Sequence, residues 1–133
     1  MSRFDFRRKF PDEKDWEGPR VATEDDYNEL GVFSRGNVDL ILDAMDWPQL
    51  LVFRYGDSDR VAAPFVVGIS KEGNPLMRGY QLEGLSRSGK GEGWRVFQVL
   101  EMLELANHQD FFNPEDFDFD PAYPWIYKVF AML

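Results

Sequence analysis

Leu76-Met77-Arg78-Gly79-Tyr80-Gln81-Leu82, then Glu83-Gly84-Leu85-Ser86-Arg87-Ser88-Gly89-Lys90-Gly91-Glu92-Gly93, then Trp94-Arg95-Val96-Phe97-Gln98-Val99 is the stretch that decides the fold. Two runs that alternate apolar and polar residues flank a connector of glycine, serine and charge. That is the sequence form of a β-hairpin with a long loop. In the first run Leu76, Arg78, Tyr80 and Leu82 share one face, and Met77, Gly79 and Gln81 share the other. Arg95 stands beside Trp94, with Phe97 nearby. Arginines among strand aromatics have two readings. They lay their stems on neighbouring rings, or they meet an anionic ligand with forked hydrogen bonds.

The flanking sequence extends the β pattern. Leu50-Leu51-Val52-Phe53-Arg54-Tyr55 is strand-like in type. A turn at Gly56-Asp57-Ser58-Asp59 leads to a second strand, Arg60 to Ile69, where Pro64 demands an edge position or a bulge. Lys71-Glu72-Gly73-Asn74 is a further turn, and Leu100 to Ala106 reads as a short turn followed by a last strand. Upstream, Asn37 is an N-cap candidate for a helix over about 38–46. Val38, Ile41, Leu42 and Met45 fall on its apolar face, and Asp39, Asp43 and Asp46 on its solvated one. Trp47-Pro48 ends it, because the residue before proline avoids the helical region. The spacing predicts a mainly β, α+β domain: one or two helices and a small SH3-like five-stranded barrel over 37–133. Residues 1–36 read as an irregular arm, extended or poorly ordered up to about residue 20, with one short helix from Thr23 through Leu30. Phe117-Asp118-Phe119-Asp120 has strand alternation, phenylalanine in and aspartate out. The end of the chain, Ala122 to Leu133, is apolar on nearly every side. It reads as a buried or interfacial helix with Trp125, Ile126, Val129, Phe130 and Met132 covered.

Composition bounds the chemistry. The 133 residues fit one domain, and 16% aromatics, twelve Phe and four Trp among them, supply large core rings. There is no cysteine, which removes disulfides, thiolate metal sites and a cysteine nucleophile. No apolar run reaches the roughly 20 residues of a membrane span, and nothing resembles a signal peptide. The expectation is a cytoplasmic protein without a membrane. A net charge of -9 disfavours a broad nucleic-acid surface. Between Leu50 and Asn107, however, seven basic residues (Arg54, Arg60, Lys71, Arg78, Arg87, Lys90, Arg95) balance seven acidic ones.

Catalytic patterns fail on inspection. Gly84 to Lys90 matches a phosphate-binding loop as far as its lysine. Gly91 then replaces the magnesium-binding Ser or Thr, and a strand follows where a helix is required. The single histidine, His108, sits at the end of the last predicted strand with no nucleophile turn in the sequence. Asp116, Asp118 and Asp120 have the odd spacing of calcium ligands without the glycine and closing glutamate of a calcium loop. No metal, no cofactor and no enzymatic activity are expected.

The order helix, Val52-Phe53-Arg54-Tyr55, Arg60-Val61-Ala62-Ala63-Pro64, Leu76 to Gln81 and Gly93 to Val99 resembles the WYL domain, a family of SH3-like barrels in bacterial regulators. Two positions depart from that pattern: Gly79-Tyr80-Gln81 stands in place of Trp-Tyr-Leu, and Gln98 in place of an arginine. The resemblance implies a regulatory sensor whose polar and basic barrel residues bind nucleotides or short nucleic acids. The chain reads as a free-standing WYL-like domain that works with a separate regulatory protein. Two functions follow as expectations. One is a non-catalytic module for a nucleotide-like or short single-stranded nucleic-acid ligand, using Arg54, Arg60, Arg78, Tyr80 and Arg95, with Arg87 and Lys90 as loop contacts. The other is a protein-interaction or homodimer module, using the arm and the apolar C-terminus.

Overall fold

The computed structural model describes residues 20–84, 91–119 and 125–133. The expectations for residues 1–19 and for the connector residues Arg87 and Lys90 therefore lie outside the described residues. The fold is α+β and mainly β. Its elements are β1 (Arg20–Val21), α1 (Glu24–Asn28), α2 (Val32–Asp46), β2 (Gln49–Tyr55), β3 (Ser58–Ile69), β4 (Pro75–Glu83), β5 (Gly93–Gln98), β6 (Leu103–Phe111) and β7 (Lys128–Met132). The strands form one seven-stranded sheet in the order β1-β7-β3-β2-β6, from which β4 and β5 branch at β3. Among the described residues the five expected strands, β2 to β6, are joined by two more, β1 in the expected arm and β7, and the sheet is not closed into a barrel. Between β5 and β2 a side chain stands in for a ladder: the Tyr55 hydroxyl accepts the Gln98 N–H at 3.0 Å and donates to Glu101 at 3.1 Å. A 3-10 turn at Val99–Glu101 then carries the chain to β6, which pairs with the opposite side of β2.

The long strand β3 explains Pro64. On one side it pairs with β4 from Val61 to Ile69; on the other it is shared, by β2 up to Ala62 and by β7 from Val66. Pro64, which has no N–H to donate, sits in the interval between those two partners. The β4 ladder shifts register between Pro64 and Val66.

Residues 20–36 are more ordered than an arm. Thr23 and Asp26 make a reciprocal capping box on α1: the Thr23 hydroxyl accepts the Asp26 N–H at 3.2 Å, and Asp26 accepts the Thr23 N–H at 2.8 Å. Helix α2 begins at Val32 behind Gly31, not at Asn37. Asn37 is buried inside the helix, where its amide donates to the Val99 carbonyl at 3.1 Å and the Met102 carbonyl at 2.9 Å. The side chain expected to cap the helix instead ties it to the β5–β6 corner. The apolar C-terminus is the strand β7, not a helix. A strand covered on both faces reads as a continuous apolar run, which periodicity does not separate from a buried helix. Ile126, Val129, Phe130 and Met132 are buried as expected, whereas Trp125 is 66% exposed.

The sheet has two covered faces. On one, α2 lays Val38, Ile41, Ala44 and Met45 over Leu51, Phe53, Met77 and Phe97. On the other, residues 112–119 cross the sheet over Phe65, Tyr80 and Trp94. Phe117 and Phe119 turn in and Asp118 out, as the alternation predicts, but the segment is a 3-10 turn plus extended chain, not a strand.

Candidate functional site

Register sorts the expected site residues. In the β4–β5 hairpin Arg78 lies opposite Val96 and Tyr80 opposite Trp94, while Gly79 lies opposite Arg95 and Gln81 opposite Gly93. Directly opposed residues share a face and successive residues alternate. Arg95 is therefore on the other face from Arg78 and Tyr80, and the expectation that all three line one surface is corrected. A shift of one residue in register reverses every side chain, so the loop length fixes this outcome.

On the Arg78 face the aromatic packing is dense. The Arg78 guanidinium lies 4.9 Å from the Trp94 ring centre and 5.6 Å from that of Phe119. Tyr80 meets Trp94 edge-on at 5.4 Å and Phe117 at 5.0 Å. Its hydroxyl donates to Glu92 at 2.9 Å. That bond raises the phenol above its ordinary pKa, and desolvation acts in the same direction. Arg54 is exposed and lies opposite Asp59, one position out of phase with Arg60, which faces Phe53 across β2. It therefore shares no sheet face with Arg60.

Arg60 and Arg95 share the sheet face of Gln81, with Arg60 bonded to Gln81 and Arg95 donating from Nη1 to the Trp94 carbonyl at 2.9 Å. The Arg60 side chain donates from Nε to Ser58 Oγ at 2.7 Å, from Nη1 to Gln81 Oε1 at 2.9 Å and from Nη2 to the Tyr55 carbonyl at 3.3 Å. Its guanidinium also lies 5.5 Å from the Tyr55 ring centre. Three of the five guanidinium N–H groups thus meet neutral acceptors. No acidic side chain among the described residues pairs with Arg60. Burial holds its pKa below the ordinary value; Tyr55 opposes this, and the Arg95 charge adds a smaller push downward. Gln81 is fully buried, and its amide donates to the Gly91 carbonyl, so it joins Arg60 to the far end of the connector.

Two glycines make room for the two arginines. Gly84, at φ 126°, would place a Cβ 2.5 Å from Arg60 Cδ; Gly93, at φ 145°, would place one 2.9 Å from Arg95 Nη1. Both backbone conformations disfavour other residues as well. The connector therefore starts against the Arg60 side-chain stem and ends against the Arg95 guanidinium. Gln81 and Ser58 were missed as site residues. The available signal for Gln81 was a long polar side chain on the same strand face as Met77.

The remaining candidates lie apart. His108 is inside β6, not beyond the end of a strand, and its Nδ1 is 3.0 Å from Asp110 in an exposed pair. Among the described residues no cluster of three His, Cys, Asp or Glu is arranged to hold a metal. No described helix is long and apolar enough to cross a membrane. Comparison with family models, curated proteins and solved structures gave no match to this chain.

Proposed function

We propose that this chain is a non-catalytic regulatory binding module whose Arg60–Gln81–Arg95 cluster receives the anionic group of a nucleotide-like ligand. The observation that carries this reading is a pair of neighbouring guanidinium groups in which Arg60 is partly desolvated and bonded only to neutral acceptors. Arg60 is thus a positive charge with no acidic partner among the described residues, in a protein of net charge -9. A phosphate lowers the repulsion between the two arginines and accepts forked bonds from them. The connector between Gly84 and Gly91 adds two cations in its sequence, Arg87 and Lys90. The resemblance to WYL domains points to the same ligand class.

The second reading, an interaction or homodimer module, has its own support. Trp47 is 74% exposed and Phe111 63% exposed, and the Phe112 N–H bond to the Pro48 carbonyl holds their chain segments side by side.

Fluorescence anisotropy with a labelled nucleotide and a labelled short oligonucleotide, at low and at moderate salt, tests the proposal. Binding by the wild type is expected to weaken with salt. Arg60→Gln and Arg95→Gln are each expected to lose about tenfold or more, since a charge-assisted bond contributes about 1.5–3 kcal/mol. Arg54→Gln carries the same charge change at a separate site and is expected to bind like wild type. Absence of binding at low salt, together with a stable dimer in sedimentation, would favour the second reading.

A further inference from the structure

We propose that residues 112–119 are a strap occupying, in cis, a slot for a planar aromatic anion, walled by Phe65, Trp94 and Arg78. This slot lies on the sheet face opposite Arg60 and Arg95, and the proposal is independent of the one above.

The first observation is how the strap is held. The Phe112 N–H bonds to the Pro48 carbonyl at 2.9 Å. The bonds that follow are internal: Glu115 N–H to Asn113 Oδ1, Asp116 N–H to the Asn113 carbonyl and Phe117 N–H to the Pro114 carbonyl. Among the described residues the strap forms no ladder with the strands beneath it. Its rings make the attachment. Phe65 is met by Phe112 at 5.6 Å, by Phe117 at 5.4 Å and by Phe119 at 5.1 Å. These three strap rings are half-buried, whereas Phe65 beneath them is 1% exposed. With no ladder to the strands beneath, the strap opens by giving up ring contacts and one backbone bond, without unpairing the sheet.

The second observation is what the strap fills. The Phe119 ring is inclined by only 36° to both Phe65 and Trp94, at 5.1 Å and 5.6 Å. The Arg78 guanidinium lies over the same ring and over Trp94. Phe65 and Trp94 meet each other edge-on at 5.0 Å, so they form an aromatic corner, and a corner of this kind with a stacked cation holds a flat ring laid into it. A guanidinium stacked in this way carries its N–H donors around its rim, so it meets an anionic substituent in the plane of that ring. The strap itself has this chemistry, because Glu115, Asp116 and the exposed Asp118 alternate with its rings. It resembles the ligand class that would displace it.

The test uses the full chain and two probes of one shape, naphthalene sulfonate and the uncharged naphthalene sulfonamide, in calorimetric titrations. Phe117→Ser/Phe119→Ser is expected to bind the sulfonate at least tenfold more tightly than wild type does, and more tightly than it binds the sulfonamide. Adding Arg78→Gln is expected to abolish that preference for charge. Should the double substitution lose cooperative unfolding, the comparison is made on Phe119→Ala, which empties the slot and leaves Phe112 and Phe117 in place. Equal sulfonate binding by wild type and the strap variant overturns the proposal. So does a gain that is the same for both probes and indifferent to Arg78, which identifies plain apolar surface.

Discussion

Asn37 illustrates how a residue's role depends on what surrounds it. Asparagine before an apolar-periodic run is a good N-cap signal, yet here its amide serves two carbonyls from the β5–β6 corner, 62 and 65 positions away in sequence. Asn37→Ala is expected to cost about 1–3 kcal/mol, because buried carbonyls lose their donor. Urea unfolding measures it, and a cost near zero would mean that water replaces the amide. Gln81 is the companion case. Opposite-face alternation in β4 was readable, but the bond from Arg60 to Gln81 joins separate strands and has no local sequence signal. Gly79, a departure from the WYL pattern, has a steric reason: a side chain there would meet the Ala63 carbonyl at 2.5 Å. At the candidate site the individual arginines were visible in the sequence. Their grouping was not, since it rests on the register Gln81 opposite Gly93.

Among the elements, the strands β2 to β5 followed closely from alternation and turn residues, and α1 from its Thr23–Asp26 box, whereas β6 was expected only to about residue 106 and runs to Phe111. Two strands escaped: β1, a two-residue strand paired with β7, and β7 itself, which is buried on both faces and so lacks alternation. Strand β7 also makes the attachment that α1 needs: Lys128 Nζ lies 3.1 Å from Asp26, whose side chain is 13% exposed. Burial alone would raise the Asp26 pKa, but the Thr23 amide bond and Lys128 together hold it below the ordinary value. A carboxylate depressed in the folded state adds stability that is fully present above its unfolded pKa, near 3.9, and is lost as pH falls through the folded value. Asp26→Asn is therefore expected to narrow the gap between unfolding midpoints measured at neutral pH and at about pH 3. An unchanged gap would show that the pair contributes nothing to acid sensitivity. Removing residues 125–133 is a harsher change, since Val129 and Phe130 are fully buried. The truncated chain is expected to lose cooperative thermal unfolding in circular dichroism, and retention of the wild-type transition would contradict the role of β7.

In the molecule as a whole, one branched sheet keeps two chemistries apart: Arg95 and a Gln81-bonded Arg60 on one face, and rings around Arg78 beneath an acidic strap on the other. The global charge of -9 hid this separation, because a net value averages an acidic strap and helix with a local basic pair. The central claim is that Arg60 and Arg95 act together on an anion. Its most direct measurement is a nitrogen–proton correlation spectrum of the arginine Nε–H and glutamine amide groups during titration with a nucleoside monophosphate. The expected result is saturable, salt-sensitive movement of the Arg60, Arg95 and Gln81 signals while Arg54 stays fixed. A spectrum in which those three signals do not move, or in which Arg54 moves as far as they do, would contradict it.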